Sequence, residues 1–349
     1  MRAKKRRDAG KRLRIWRRTL AGAAVILAAA VTVLTVYLYR QRTLTEKQIA
    51  GRSSPQSTQV PKDLTGTVEY NGKTYKRSSN VKAILCMGVD RQGSMEEIVT
   101  HTMGGQADGI FVIAQDTARN TIRFLVVPRD TMTEITLTDL SGNVLGKDIQ
   151  HLNLAYAYGD GREGSCQRVQ EALSQALGGF EFDWYMAADT EVINLLNNRV
   201  GGVTVTIPSD GMEKKDPAFV KGAVVTLKGE QAEAFVRYRD IEEAHSAIYR
   251  LEREKEFIMG FLRAVQEQSK KDSGIVGELF EEIESYMVTD MRKEEYLKMA
   301  MDAAGSAGLE DGDFYTVPGR SVMGQVYNEF YMDKEGLTPI LLELFYREV

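Results

Sequence analysis

Five charged residues lie at the ends of three apolar runs in the first half of the chain. They are Asp90, Arg91, Asp108, Arg129 and Asp130. Carboxylate oxygens are good ligands for a divalent cation such as magnesium, and a guanidinium group binds phosphate oxygens through several hydrogen bonds. Two acids and an arginine brought to one place would therefore suit a cation together with a phosphate. The alternative is that the ends of a sheet are simply wet and usually carry charges.

The elements that carry these residues are predicted to be buried strands, because each run is continuously apolar. The runs are residues 84–89, 110–114 and 122–127. The short, turn-rich segment 115–120 makes the second and third strands a hairpin, so Asp108 should lie near Arg129. If the first strand runs antiparallel to the second, Asp90 reaches the same edge.

Four arginines form a second group of candidate site residues. They are Arg237, Arg239, Arg250 and Arg253. Residues 236–239 have an extended pattern, in which the first two arginines point to the same face. The last two lie three residues apart at the start of a predicted helix that runs to about residue 268, so they also share a face. Grouped guanidinium groups suit multidentate binding of phosphate, whereas solvated arginines paired with neighbouring glutamates are the structural alternative.

The N-terminal region predicts a membrane anchor. Residues 1–18 contain ten Lys or Arg and one acid, Asp8, and residues 19–39 contain no charge. The apolar stretch starts with Leu20 and closes with Tyr39, and about twenty helical residues cross a bilayer core of roughly 30 Å. The basic side should stay cytoplasmic, which places the rest of the chain outside the cell membrane. A cleaved signal peptide is the alternative.

Composition excludes some classes of function. The whole chain has a net charge of −4, and without the basic tail of residues 1–18 the remainder is strongly acidic. An acidic domain argues against nucleic acid as a partner, since binding to phosphates uses a net basic face. The two cysteines do not form a disulfide framework, although a bridge between Cys86 and Cys166 stays possible. No cluster of His and Cys indicates zinc.

The order of strand-like and helix-like segments predicts an α/β fold, a layered α-β-α domain with a mixed central sheet. The predicted organisation is a cytoplasmic tail, a transmembrane anchor, an extracytoplasmic linker, a main domain that carries the candidate site residues, and a C-terminal appendix packed on that domain. These segments are residues 1–18, 19–39, 40–80, 81–270 and 271–349.

Short blocks in a fixed order, mostly between residues 82 and 268, carry a resemblance to a known family. The blocks are Gly88-Val89-Asp90-Arg91, Gln106-Ala107-Asp108, Val127-Pro128-Arg129-Asp130-Thr131, Leu152-Asn153-Leu154-Ala155-Tyr156, Gly201-Gly202-Val203, Leu227-Lys228-Gly229-Glu230-Gln231-Ala232, Val236-Arg237-Tyr238-Arg239 and Arg250-Leu251-Glu252-Arg253. Together with the predicted anchor, this series resembles the LytR-CpsA-Psr family of bacterial cell-wall proteins. No single block is specific, but their order is.

The resemblance implies an extracytoplasmic phosphotransferase. Such an enzyme moves a glycopolymer, for example a teichoic acid or a capsular polysaccharide, from an undecaprenyl-pyrophosphate carrier onto peptidoglycan through a phosphodiester bond. By motif, Asp90 and Asp108 match the acids of a magnesium-pyrophosphate site. The matching phosphate-binding arginines are Arg129, Arg237, Arg239 and Arg250. Further expected substrate contacts are Arg91, Asp130, His151, Arg253 and Glu254.

The chain departs from the family pattern at several positions. Glu254 stands where many members have Gln, and Ala247 stands where an Asp is usual. His151 replaces a common lysine, and a Ser-Asp-Thr block is changed to Ala107-Asp108-Gly109. The changes at Ala247 and Glu254 favour one alternative function, a non-catalytic wall-binding or sensing protein. A second alternative is a polyprenyl-pyrophosphate pyrophosphatase, which would use the same metal and arginines with water as the acceptor.

Overall fold

A six-stranded mixed sheet forms the centre of the fold, in the order β11-β8-β3-β4-β5-β12. The computed structural model describes residues 64, 66–91, 93–99, 101, 103–238, 246–324 and 327–349. The strands of this sheet are β3 (Val81–Val89), β4 (Ala107–Asp116), β5 (Thr121–Val126), β8 (Trp184–Asp189), β11 (Met287–Thr289) and β12 (Phe314–Thr316). Strand β3 is antiparallel to β4 and parallel to β8, and β12 is parallel to β5. The predicted mixed α/β fold with a mixed central sheet is confirmed.

Helices cover both faces of the central sheet. The helices are α1 (Leu154–Ala157), α2 (Glu163–Ala176), α3 (Glu191–Arg199), α4 (Gln231–Arg237), α5 (Ser246–Ser269), α6 (Ile275–Ile283), α7 (Lys293–Ala304) and α8 (Lys334–Phe345). On one face Leu85 joins a core cluster with Leu173 of α2 and Leu341 of α8. On the other face Ile84 belongs to a cluster with Tyr296 of α7. Strand β3 is therefore apolar on both sides, which explains its continuous apolar run.

The remaining strands form smaller sheets around the centre. They are β1 (Thr67–Tyr70), β2 (Lys73–Arg77), β6 (Met132–Thr138), β7 (Val144–His151), β9 (Thr204–Thr206), β10 (Val224–Thr226), β13 (Gly319–Met323), β14 (Asn328–Met332) and β15 (Tyr346–Glu348). The Asn71-Gly72 turn between β1 and β2 has positive φ at both residues, which is typical of a tight hairpin. This hairpin pairs with β15 and buries Val68, so part of the predicted linker belongs to the folded unit.

The C-terminal residues 271–349 share the central sheet with the rest of the chain. Strand β11 pairs with β8 at one edge, and β12 pairs with β5 at the other. Helix α8 contributes Leu337, Leu341 and Phe345 to the main core cluster. A segment that the sequence places in an appendix thus completes both edges of the sheet.

A second core cluster lies under α3 to α6. Phe235 of α4 and Phe257 of α5 are buried there with Val203 and Phe219. This cluster holds α4 and α5 together, and these two helices carry Arg237, Arg250 and Arg253.

Two further sequence predictions concern the cysteines and the anchor. Cys86 and Cys166 are free and buried in different core clusters, and burial raises the pKa of both thiols. None of the helices in the described part of the chain is long and apolar enough to cross a membrane. The predicted anchor, residues 19–39, lies outside the described residues.

Candidate functional site

The ends of β3 and β4 bring the two predicted acids to one edge of the sheet. Gly88 pairs with Gly109 and Val89 with Ala107, so Asp108 is the extra residue of a bulge. A bulge at a strand end re-aims a side chain and stops regular pairing. The N–H of Asp90 donates to the carbonyl of Gln106 at 2.9 Å, which holds the end of β3 beside the start of β4.

Two facing glycines, Gly88 and Gly109, pair on the sheet next to these acids. If a Cβ were added to Gly88 or Gly109, the nearest atoms would be the backbone atoms of the other glycine, at 3.9 Å or more. The sheet surface therefore lacks bulk at this point. A ligand held by Asp90 and Asp108 could approach the backbone closely.

Arg129 contacts Asp108, as the hairpin predicts. Its Nη1 lies 2.6 Å from Asp108 Oδ1, and its Nε lies 3.4 Å from Asp130 Oδ1. The Oδ1 of Asp108 is buried, and Arg129 contacts it as an ion pair.

Arg237 contacts the second acid, but from a different element than the sequence predicts. Residues 231–237 are helical, and only Tyr238 turns to extended geometry, with φ −54° and ψ 133°. The prediction of an extended segment that gives Arg237 and Arg239 a common face was wrong at Arg237, because the helix that begins at Gln231 continues through it. Arg239 itself lies outside the described residues.

The guanidinium group of Arg237 joins two acids. Its Nη2 donates to Asp90 Oδ1 at 2.5 Å, and its Nη1 donates to Glu233 Oε1 at 2.7 Å. Burial alone would lower the pKa of Arg237, but the ion pairs with Glu233 and Asp90 outweigh it and raise that pKa. Asp90 remains 51% exposed, so it stays accessible to a ligand.

Helix α5 begins as predicted and directs Arg250 to the same edge. The Nη2 of Arg250 donates to the backbone carbonyl of Asp108 at 3.0 Å, and its Nε lies 3.2 Å from Glu254 Oε1. Burial raises the pKa of Glu254, although Arg250, Arg253 and Arg129 attract its ionised form. The acid that replaces the usual amide is thus part of the arginine cluster.

Arg253 is buried and holds helix α4. The residue is 2% exposed, and its Nε donates to the carbonyl of Phe235 at 2.8 Å while its Nη2 donates to the carbonyl of Tyr238. Burial lowers its pKa to about 10. The expected role in substrate contact is corrected here, because these main-chain bonds make Arg253 a positioning residue for the end of α4 and for Arg237.

The other predicted contact residues lie around the same edge. Arg91 follows β3, and its Nη1 donates to the carbonyl of Gly161 at 3.5 Å. Asp130 lies beside Arg129, and its carbonyl accepts a bond from the N–H of Phe330 at 2.8 Å. His151 ends β7 with its ring centroid 6.4 Å from that of Tyr327. Strand β7 begins at Val144 and carries His151 to this position.

Asp189 is an acid at this edge that the sequence analysis misses. It ends β8 directly beside Val89, and it is 2% exposed. Its Oδ1 accepts the N–H of Glu191 at 2.5 Å, whereas its Oδ2 is buried without a hydrogen-bond partner. Burial raises the pKa of Asp189. The signal was present, since an acid ends this strand just as Asp90 follows β3.

The side chains at this edge could supply some, but not all, of the oxygen ligands that a magnesium ion needs. In the described residues no three His, Cys, Asp or Glu side chains are grouped closely enough to hold a metal ion. Asp90 and Asp108 offer hard carboxylate oxygens, and each is in an ion pair with an arginine in this structure. Mg2+ prefers six oxygen ligands and usually takes several from water and from substrate phosphates. The two acids therefore fit a magnesium ion whose coordination a phosphorylated ligand completes.

The family is decided by the extent of the sequence match. The model of the LytR-CpsA-Psr family matches residues 34–342, which is most of the chain. The chain belongs to the LytR-CpsA-Psr family. The blocks that suggested this family contribute Asp90, Asp108, Arg129 and Arg250 to one edge of the sheet.

Curated relatives are polyisoprenyl-teichoic acid–peptidoglycan teichoic acid transferases. The chain is 25% identical to TagU of Bacillus mycoides (strain KBAB4) over 88% of each chain. It is 25% identical to TagT of Bacillus subtilis (strain 168) over 77% of this chain and 75% of TagT. Its match to TagV of the same strain, at 29% identity, spans 45% of this chain and only 37% of TagV.

Solved structures share the fold. A crystal structure of B. subtilis TagV superimposes with a TM-score of 0.56 at 22% identity, over 76% of this chain and 97% of TagV. A structure of TagT bound to LI-WTA gives 0.57 at 16% identity, over 76% of this chain and 90% of TagT. At this level of identity the similarity establishes the fold alone.

Proposed function

We propose that this protein is a phosphotransferase that moves a glycopolymer from an undecaprenyl-pyrophosphate carrier onto peptidoglycan through a phosphodiester bond. The observation that carries the proposal is the pairing of two acids with two arginines at one sheet edge, Asp108 with Arg129 and Asp90 with Arg237. Arg250 lies beside them. The names of the relatives, which are teichoic acid transferases, support the same class of reaction.

The arginines supply most of the chemistry that the chain itself can offer. A pyrophosphate resists nucleophiles because it is negatively charged, and Arg129, Arg237 and Arg250 would neutralise that charge and stabilise the departing polyprenyl phosphate. The acceptor hydroxyl oxygen forms a bond to phosphorus as the bridging P–O bond breaks. Its proton passes to a carboxylate, for which Asp90 or Asp108 is the candidate base. When bound, Mg2+ would be held by these two acids and would lower the charge of the pyrophosphate further.

Transfer can be tested directly with a purified polyprenyl-pyrophosphate-linked glycan and peptidoglycan, with and without magnesium. We expect glycan attached to peptidoglycan and released polyprenyl phosphate, both dependent on the acceptor and increased by magnesium. Release of polyprenyl phosphate without an acceptor would indicate a pyrophosphatase. No turnover under any condition would indicate a non-catalytic protein.

A single substitution sharpens this test. Arg237→Lys keeps the charge but loses the planar fork, so binding of the polyprenyl pyrophosphate should weaken by about 1 to 3 kcal/mol. The melting temperature should change little, because half-exposed ion pairs contribute little stability. Arg168→Lys on α2 is the matched control. Wild-type affinity in Arg237→Lys would remove the arginine site from the mechanism.

We also propose that residues 19–39 are a retained anchor, with the basic tail in the cytoplasm and the folded domain outside. The tail would then lie at the anionic inner leaflet. Protease added to intact protoplasts should digest the folded domain. Full protection of the domain would overturn this topology.

A further inference from the structure

The hairpin formed by β13 and β14 presents a solvent-facing surface next to the proposed reaction site. Ser321 pairs with Phe330, and the Phe330 ring is buried in the main core. Directly paired residues share a face of a hairpin, and faces alternate along each strand. Arg320 with Tyr331, and Val322 with Glu329, therefore lie on the opposite, outward face.

We propose that this outward face, together with Tyr327 and His151, binds the acceptor as a glycan strand built of amino sugars. The inference rests on the proposed function, since it names where the acceptor of that reaction is held. We call the surface the hairpin face. It comprises His151, Arg320, Val322, Tyr327, Glu329 and Tyr331.

The composition of the hairpin face suits a sugar. Tyr331 is 39% exposed, its hydroxyl donates to Glu329 Oε2 at 2.6 Å, and the Arg320 guanidinium lies 5.6 Å from its ring centroid. A sugar ring has an apolar face that packs on an aromatic ring, and its hydroxyl and acetamide groups need donors and acceptors around that ring. One tyrosine with an acid and a base beside it provides both.

The hairpin face continues to the site. Tyr327 is 70% exposed, and its ring meets the His151 ring edge-on at 6.4 Å and 70°. The N–H of Phe330 donates to the carbonyl of Asp130 at 2.8 Å, and Asp130 is the neighbour of Arg129. A glycan bound along the hairpin would thus reach the residues that are proposed to hold the pyrophosphate.

The two strands of the hairpin are closely packed at its base. A Cβ at Gly319 would collide with the ring of Phe330 and with the carbonyl of Tyr331, so the two strands approach closely at this point. The N–H of Asp333 donates to the carbonyl of Pro318 at 2.8 Å and closes the base of the hairpin.

A lipid surface is the other candidate occupant, and the charges argue against it. Insertion into a bilayer would bring Glu329 to the interface beside the exposed side chains, and a carboxylate is repelled by an anionic membrane. Segments that lie on membranes are rich in Lys and Arg on their polar face. The hairpin face instead has one acid and one arginine.

The experiment measures binding, so it does not depend on turnover. Full-length protein in detergent would be titrated with soluble glycan strands from amidase-treated peptidoglycan, and separately with a polyprenyl pyrophosphate. We expect the Tyr327→Ala/Tyr331→Ala double variant to bind the glycan at least tenfold more weakly and to bind the pyrophosphate normally. Leu145→Ala, an exposed apolar change on the neighbouring hairpin β6–β7, is the control and should bind both like wild type.

The other possible results each show whether the hairpin face binds glycan. Equal glycan affinity in the double variant and wild type, or no glycan binding by wild type, would overturn it. Binding of phosphatidylglycerol vesicles by wild-type residues 59–349, which lack the proposed anchor, but not by the same residues of the double variant, would assign the hairpin face to a membrane instead. If wild type binds glycan through the two tyrosines but not pyrophosphate, the proposed phosphotransferase site fails while the hairpin face stands as a glycan-binding surface.

Discussion

At the scale of single residues, Glu254 has the most unusual environment of the site. Its carboxylate lies next to Arg250 and is also attracted by Arg129 and Arg253, yet removal from water dominates and raises its pKa. The folded protein therefore favours the protonated form more than the unfolded chain does. The stability that Glu254 contributes is present in full below its unfolded pKa and is lost as the pH rises through its folded pKa.

This environment predicts a pH-dependent effect of Glu254→Gln. Glutamine keeps the shape of the side chain but cannot ionise. The melting temperature of the variant, measured relative to that of wild type, should therefore increase as the pH rises above about 4.3, the ordinary pKa of Glu. The gain should level off above the folded pKa. Melting curves between acidic and neutral pH would measure it, with Glu252→Gln on the exposed side of α5 as the baseline. If the melting temperature of wild type instead increased relative to that of the variant as the pH rises, the pKa of Glu254 would be lowered rather than raised.

The contacts of some site residues can be predicted from the sequence, and those of others cannot. Asp108 and Arg129 could be paired from sequence, because a short hairpin fixes which ends of two strands meet. The role of Arg253 could not, since helical spacing gives the face of α5 but not the carbonyls that pack against it. Asp189 was missed because only the parallel pairing of β8 with β3 brings it to this edge.

At the scale of elements, the junction of α4 and α5 positions the arginine site. Arg253 of α5 bonds to the carbonyls of Phe235 and Tyr238, which lie at the end of α4. The last carbonyls of a helix lack partners within the helix and need them from elsewhere. Since Arg237 is the last residue of α4, this bond between helices also fixes the arginine that contacts Asp90.

Removing this bond should therefore affect stability and ligand binding together. Arg253→Ala leaves two carbonyls without charged donors, and we expect the free energy of unfolding to fall by about 2 to 4 kcal/mol. Urea denaturation would measure the loss, with Arg263→Ala on the exposed surface of α5 as the control. Equal stability of the two variants would show that Arg253 does not hold α4.

The secondary structure at Arg237 could not be predicted from the local sequence pattern alone. Residues 236–239 alternate like a strand, and alternation alone predicts extended structure. The preceding residues 231–235 have helical character, and burial of Phe235 and Val236 in the second core cluster extends that helix to Arg237. Tertiary packing decides such short ambiguous segments, whereas the long apolar stripe of α5 predicted its helix to within a few residues of its end.

At the scale of the whole molecule, the order of strands in the central sheet makes the C-terminal residues essential. The sheet takes β3 and β4 from the N-terminal half and both edge strands from residues 271–349. Local patterns predict three helices in that segment, at residues 278–287, 293–303 and 337–346, and one strand and turn at residues 314–319. They do not predict the place of these elements, because pairing between residues about 190 positions apart leaves no local signal. The segment could be assigned to the core only from the structure.

Deletion of residues 334–349 tests whether the C-terminal segment is part of the folding unit. Five fully or nearly buried side chains of α8 would be lost: Leu337, Leu341, Leu342, Leu344 and Phe345. At about 1.5 to 3 kcal/mol each, their burial contributes about 8 to 15 kcal/mol, which equals the whole stability of a typical domain of about 5 to 15 kcal/mol. We therefore expect no cooperative thermal unfolding in a chain that ends at residue 333. A chain that ends at Tyr346 removes three residues, keeps α8 and should still unfold cooperatively. A cooperative transition near the wild-type temperature in the shorter chain would show that the core does not need α8.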